Sequence, residues 1–330
     1  LSETLSETSI PVVVIVGPTA VGKSDLAVTV AEALDGEIVS ADAMQLYRGL
    51  DIGTAKVDAA TRERVPHHCL DLIAPDERAS AGDFARLASA AIEGIRERGN
   101  LPIVVGGSGF YLRALLEGLA PLPARDTAWR KALEALEARR GLRHLYAMLL
   151  ALDPVWAEQV GESDRQRILR GIEVTLRRGE PMSSILAREG WKHPGYDAIW
   201  VGLRCPREML RKRIAERVDA MLAAGWVEEV RDLLAAGVSP DAAALRAIGY
   251  RELAACVAGE SCLLEAREAI VRATGQYAKR QMTWFRRQTL AEWFEIASAG
   301  EAEREALGAR VLAFVQSRLD ERGRQVEDDW

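Results

Sequence analysis

The sequence predicts an α/β fold in which a parallel sheet flanked by helices is interrupted by an inserted all-helical domain. Three observations carry that expectation. Short apolar runs alternate with helical patterns over residues 10–120, residues 127–186 read as helix with no strand signal, and an apolar run returns at residues 196–203. The first run, residues 12–16, feeds the glycine-rich segment GPTAVGKS and then a helix. That order of strand, turn and helix is the phosphate-binding loop of a P-loop NTPase-like sheet.

The elements follow in order. Residues 1–9, with a repeated LSET, are polar and are expected to be a disordered N-terminal extension. Residues 10–120 form the first part of the core, with strands at 12–16, 37–40, 69–73 and 103–105 and helices at 24–34 and 81–98. Gly99, Asn100 and Pro102 end the second helix. Pro121 and Pro123 mark a break, after which residues 121–196 form the inserted helical domain. Residues 197–330 complete the core, with helical regions at 206–236 and 263–287, an edge strand at 293–296 and a last helix. In such sheets ligands sit beyond the carboxyl ends of the strands, so the residues just after each run are where chemistry is expected.

Composition narrows the function classes. The chain has 330 residues, 48% hydrophobic and 28% charged, which is enough to bury a sizeable core. No apolar run is long enough to cross a bilayer, and the N-terminal segment lacks the basic and apolar regions of a signal peptide, so a cytoplasmic protein with no membrane partner is expected. Cys69, Cys205, Cys256 and Cys262 form no CxxC pair, which argues against a disulfide framework or a structural zinc site. A net charge of −6 argues against a protein that coats nucleic acid indiscriminately. Local basic patches remain: Arg272, Lys279, Arg280, Arg286 and Arg287 are interleaved with Tyr277, Trp284 and Phe285, a combination that holds phosphates and stacks on bases. A second basic stretch spans residues 204–217 and reads first as a solvated helix face.

The phosphate cradle comprises Gly17, Pro18, Thr19, Ala20, Val21, Gly22, Lys23 and Ser24. Its backbone N–H groups turn inward, Lys23 supplies a point charge and the Ser24 hydroxyl is suited to Mg²⁺. Asp42 follows the second strand, and three readings stand for it: a helix cap, a carboxylate that orients Mg²⁺ through water, or a general base. Gln45, Tyr47 and the turn DIGTAK (51–56) follow it, and GGSGFY (106–111) brings Ser108 to the same rim. His67 and His68, adjacent on an extended segment, point apart and read as structural rather than metal-binding.

The series GPTAVGKS, SADAMQLY (40–47), DIGTAK, PHH (66–68), GGSGFY, AIGYRE (247–252) and AKRQMTWFRR (278–287) closely resembles the tRNA dimethylallyltransferases, in the same order across residues 10–290. The resemblance implies transfer of a dimethylallyl group from dimethylallyl diphosphate to the N6 amine of the adenosine immediately 3′ of the anticodon, position 37, in tRNAs reading codons that begin with U. It implies that the cradle holds the diphosphate, with Mg²⁺ on Ser24, and that Asp42, Thr19 and Arg217 are catalytic, Asp42 as the base. Implied contacts to the tRNA anticodon stem-loop are Asp42, Ala43, Met44, Gln45, Ser108, Arg130, Gln166, Arg167, Ile168, Leu169, Arg170, Arg246, Gly249, Tyr250, Arg251, Lys279, Arg280, Gln281, Thr283, Trp284 and Arg286. A monomer is the implied state.

Departures are few: Ala43 replaces a common Ser, Ser108 a usual Thr, Val57 a usual Pro and Arg251 a common Lys. Two rival readings stay open at this point. A P-loop small-molecule kinase accounts for the cradle and Asp42 but leaves AKRQMTWFRR and the insert unexplained. A non-enzymatic RNA-binding or nucleotide-switch protein accounts for the basic aromatic segment without needing Asp42.

Overall fold

A computed structural model describes residues 9–190, 195–298 and 300–328. Most of the expected N-terminal extension, residues 1–8, lies outside the described residues. Ser9 lies inside them, with its hydroxyl donating to Gly195 O at 3.2 Å. The chain divides into two compact units, Leu1–Leu116 with Gly195–Trp330, and Glu117–Pro194.

The first unit begins with β1 (Ile10–Val16), α1 (Lys23–Ala33), β2 (Gly36–Ser40), α2 (Ala59–Arg64), β3 (His67–His68), α3 (Ala81–Glu97), β4 (Leu101–Gly106) and α4 (Gly109–Leu116). The second unit holds α5 (Thr127–Arg140), α6 (Leu142–Leu152), α7 (Pro154–Val160), α8 (Arg165–Arg178) and α9 (Met182–Glu189). The chain then returns through β5 (Tyr196–Arg204), α10 (Arg207–Ala223), α11 (Trp226–Ala235), α12 (Tyr250–Val257), α13 (Leu263–Gln288), β6 (Glu292–Glu295) and α14 (Glu301–Asp328). Among the described residues the strands form one six-stranded sheet in the order β3-β2-β4-β1-β5-β6. Every pairing is parallel. No helix among them is long and apolar enough to cross a membrane.

Both faces of the sheet are covered, which explains why β1 is an unbroken apolar run. Alternation along β1 sends Val13 and Ile15 to one core, with Leu26 and Val30 of α1 and Leu307, Val311 and Val315 of α14. Val12, Val14 and Val16 enter the other, with Phe84 and Ile92 of α3, Leu112 of α4 and Phe285 of α13. The helical unit has its own core of Leu133, Leu145, Leu149, Ile168, Leu169 and Ile172. Its buried polar residues are tied down: Glu173 accepts the Asp126 N–H at 2.8 Å, and Asp153 accepts from the N–H of Trp156 and from both the N–H and hydroxyl of Ser183.

Three expected elements are corrected. The strand expected at 69–73 is confined to His67–His68, because Cys69 and Asp71 take left-handed φ values of 61° and 58° that extended pairing does not permit. Only Ile73 bridges onward, to Tyr47. The helical region at 206–236 is two helices, parted at Gly225 with φ 100°. The stretch 127–186 resolves into α5 to α9, with Gly141, Asp153, Gly161 and Pro181 at their boundaries.

One buried charge lies at the opposite end of the sheet from the phosphate loop. Glu37 in β2 accepts two hydrogen bonds from Arg98 and one from Asn100, each at 2.8 Å, and meets His68 Nε2 at 2.6 Å. The Arg98 guanidinium, against the opposing cost of burial, holds the Glu37 carboxyl down from 4.5 to about 2, with His68 and Asn100 adding to it. A carboxyl depressed on folding stabilises the protein above its unfolded pKa and loses that contribution as pH falls through the folded one. Denaturant titrations between pH 4.5 and 2 are therefore expected to show wild-type stability falling more steeply than that of Glu37→Gln; parallel profiles would count against this role.

Candidate active site

The site is built at the carboxyl ends of β1, β2 and β4, beside the point where the chain leaves β1 for β2 on the far side of β4. The loop after β1 ends at Gly22, whose φ of 103° suits glycine and which serves as the N-cap of α1. No side chain caps this helix. Its first-turn N–H groups are thus turned to the space beyond β1, where the helix dipole favours an anion. Ala20 also holds a left-handed φ of 63°, a local strain of the kind found at ligand loops.

Lys23 reaches back over the loop, donating to Pro18 O at 2.8 Å. Burial, aided by the nearby Arg217 guanidinium, pushes its ammonium pKa down to about 7, while Asp42 opposes that shift. Burial likewise lowers Arg217 from its ordinary value, with Asp42 and Asp25 acting against it. Two cationic groups facing one cavity without a full counter-charge make a site that an anion stabilises. Arg213, one helical turn before Arg217, donates to Val21 O at 3.0 Å and braces the loop from outside.

Asp42 is not a helix cap. Its Oδ1 accepts the Met44 N–H at 2.9 Å in a local turn, and Ser108 Oγ accepts the neighbouring Ala43 N–H at 3.2 Å. Residue 43 thus contributes its backbone here, which Ala supplies as well as Ser would. Gln45 is held at both ends of its amide: Oε1 accepts the Ser40 hydroxyl at 2.7 Å, and Nε2 donates to Thr54 O at 3.0 Å.

Two cavities meet at this point. A small polar one of about 80 Å³ is lined by Lys23, Ser24, Ser40, Gln45 and Gly107. The other, about 330 Å³, is walled by Met44, Ile214, Val218, Met221, Trp226, Ile248 and Ile270. That size and apolar lining suit a small organic ligand. Thr19, Asp42, Thr54, Arg217 and Tyr277 line both. A phosphate-binding surface and an apolar chamber therefore share a border that holds a carboxylate and a guanidinium.

The comparisons with known proteins agree with this geometry. The family model described as IPP transferase matches residues 45–288, and one described as isopentenyl transferase matches residues 10–66. The chain belongs to the IPP transferase family. It is 47% identical to tRNA dimethylallyltransferase 2 of Geotalea uraniireducens (strain Rf4), over 88% of this chain and 93% of that one. It is 46% identical to the tRNA dimethylallyltransferase of Geobacter sulfurreducens, over 86% and 91%. Among solved structures, the full-length tRNA isopentenylpyrophosphate transferase of Bacillus halodurans aligns with a TM-score of 0.70 at 34% identity, over 96% of this chain and 99% of that one. A eukaryotic dimethylallyltransferase described as acting on tRNA aligns at 0.73 and 28%, over 87% and 74%.

With family membership in hand, the implied contact residues sort by burial. Asp42, Thr19, Lys23, Ser24 and Arg217 converge on the polar cavity. On α13, Tyr277, Gln281 and Phe285 recur every four residues on the inner face. Lys279, Arg280, Thr283 and Arg286 are exposed on the outer face, and Lys279, Arg280, Thr283 and Trp284 line a groove. Gln281, another implied contact, is on the inner face. It is 6% exposed, accepts the Thr19 N–H at 2.8 Å and donates to Gly107 O at 3.0 Å, so it joins the phosphate loop to the loop after β4.

Tyr250 and Gly249 are buried as well, and the Tyr250 hydroxyl is taken by Glu229, whereas Arg246 and Arg251 remain exposed. In the helical unit Ile168 and Leu169 lie in the core, because helical spacing turns them inward with Ile172. Arg167 is exposed, Arg130 pairs with Gln166, and Arg170 is held by Glu173 and by Pro123 O at 2.5 Å. His67 and His68 bond to Val65 O and Glu37, as their structural reading expects.

Sequence reading missed Trp226 and Glu229; Tyr277 was read only as one ring of the basic aromatic segment and Thr54 only as part of the turn DIGTAK, and both border the two cavities.

The Lys23 pKa yields a test on the free protein. Anion binding requires the ammonium form, which is abundant below pH 7 and declines above it, while the bound anion draws the pKa back toward its ordinary value. Affinity for inorganic diphosphate, read by calorimetry, is expected to fall by up to about tenfold per pH unit above pH 7 through this group. Lys23→Arg should remove that component; an identical pH profile in the variant would contradict it.

Proposed function

We propose that this chain transfers the dimethylallyl group of dimethylallyl diphosphate to the N6 amine of adenosine 37 in tRNAs that read codons beginning with U, releasing diphosphate. The observation that carries the reading is the shared border of the two cavities, where Asp42 and Arg217 stand between a cationic phosphate surface and an apolar chamber. Such a border serves a substrate that is half diphosphate and half hydrocarbon, reacting with a flat base that enters from the apolar side.

The chemistry balances over these groups. The bond between the allylic carbon and the diphosphate oxygen breaks, and its electron pair leaves with the diphosphate. A C–N bond forms from the N6 lone pair, and the amine loses a proton to the Asp42 carboxylate. Negative charge that grows on the leaving group meets Lys23, Arg217, the Thr19 hydroxyl and the uncapped N–H groups of α1. The base must leave the anticodon stack to reach them. Exposed cations on α13 and at Arg246 and Arg251 suit the phosphates of a stem-loop.

The Ser24 hydroxyl fits Mg²⁺: it lines the polar cavity, and Mg²⁺ commonly takes one or two protein oxygens with the rest from phosphate and water. When bound, the ion would neutralise part of the diphosphate charge. A kinase reading is less well served, since the larger cavity offers a mainly apolar wall where a sugar or polyol would need hydrogen-bonding partners.

The test is to incubate the protein with Mg²⁺, dimethylallyl diphosphate and unmodified tRNA, and to examine the digested RNA by mass spectrometry for a prenylated adenosine. Asp42→Asn is expected to lower kcat by roughly 10²–10⁴-fold while tRNA affinity stays near wild type. Absence of product with ATP turnover instead would overturn the proposal in favour of a kinase.

A further inference from the structure

Glu229 on α11 touches neither cavity, yet it organises the loop that borders both. Its Oε2 accepts the N–H groups of Asp51 at 2.8 Å and Ile52 at 2.7 Å, and its Oε1 accepts that of Gly53 at 3.3 Å. Oε1 also accepts the Tyr250 hydroxyl at 2.6 Å. Successive peptide N–H groups gathered on one carboxylate form the concave turn that peptides otherwise offer to an anionic ligand. Here the anion is the protein's own side chain.

The consequences reach the reacting groups in two steps. The 51–56 turn presents Thr54 to both cavities, and its Thr54 and Ala55 carbonyls accept the Gln45 amide at 3.0 and 3.4 Å. Gln45 in turn accepts the Ser40 hydroxyl, and both line the polar cavity. From the same helix, Trp226 is pressed onto the turn so closely that a Cβ on Gly53 would come within 2.0 Å of its indole nitrogen. The turn has no regular secondary structure to hold it, so the carboxylate takes the place of a strand partner. Tyr250, the fourth donor, lies between the exposed Arg246 and Arg251, and it joins their segment to the same carboxylate.

We propose that Glu229 is a positioning residue for transfer: its carboxylate holds Thr54 and Gln45 in the geometry that the diphosphate substrate meets, and Tyr250 locks that carboxylate in place. The inference rests on the prenyl-transfer reading. No role in chemistry is assigned to Glu229 itself, since it lines neither cavity.

The test uses the full chain and steady-state prenylation of an anticodon stem-loop. Glu229→Gln keeps the shape but sets an amide where a carboxylate met four donors, so one N–H is left facing another. It is expected to lower kcat/KM for dimethylallyl diphosphate about tenfold or more, with stem-loop affinity within about twofold of wild type. Tyr250→Phe removes one donor and should show a smaller loss of the same kind, and the double variant should be no worse than Glu229→Gln alone, as for groups acting as one unit.

Additive losses, an unchanged kcat/KM, or equal loss of affinity for both substrates in step with lowered thermal stability would each overturn the inference. Wild-type protein that makes no prenylated adenosine would instead refute the transfer reading itself, so the two failures are separable.

Discussion

The first turn of α1 closes β1 with peptide N–H groups that no side chain caps. Such groups cannot be left dry and unpaired, and their dipole calls for negative charge. This constraint decides where the rest of the chemistry lies. Lys23 and Arg217 converge on the same space, and Gln281 ties the Thr19 N–H to the loop after β4, so the cradle is fixed from two strands rather than one. The depressed Lys23 pKa records what the arrangement costs without an anion.

A phosphate cradle alone does not separate transfer from phosphorylation or from switching. Its neighbour does. The chamber behind Asp42 is closed by Trp226 and the aliphatic face of α10, a setting in which a hydrocarbon tail and a flat base lose little and a hydroxylated acceptor would lose its hydration. Packing of Trp226 on Gly53 shows how tightly that wall is set: the indole occupies space that any side chain at residue 53 would need. The chamber is therefore preformed, and binding energy need not be spent on building it.

Much of this was legible in the sequence because the relevant signals are local. The strand-loop-helix order around Lys23, the helical stretch at 127–186 and the returning strand at 196 all follow from periodicity and punctuation within short windows. Asp42 and Ser108 could be placed on the rim because each follows an apolar run. What escaped depends on distant pairing. Glu229 serves residues 51–53 from 176 to 178 positions away, and nothing in the sequence around either announces the other. Transfer of whole motifs also does not separate inner from outer residues. A helix segment carries inner and outer residues together, so Gln281, Ile168 and Leu169 came along with exposed neighbours although their side chains are buried.

The central claim is that diphosphate and base meet at the border held by Asp42 and Arg217. A crystal structure of the protein with an anticodon stem-loop and an unreactive thiolo analogue of dimethylallyl diphosphate tests it most directly. The account predicts the diphosphate oxygens on Lys23, Arg217 and the N–H groups of the first turn of α1. It also predicts a flipped adenine in the Trp226 chamber, with its N6 within hydrogen-bonding distance of Asp42. A diphosphate bound elsewhere, or an adenine still stacked in the loop with the chamber empty, would contradict it.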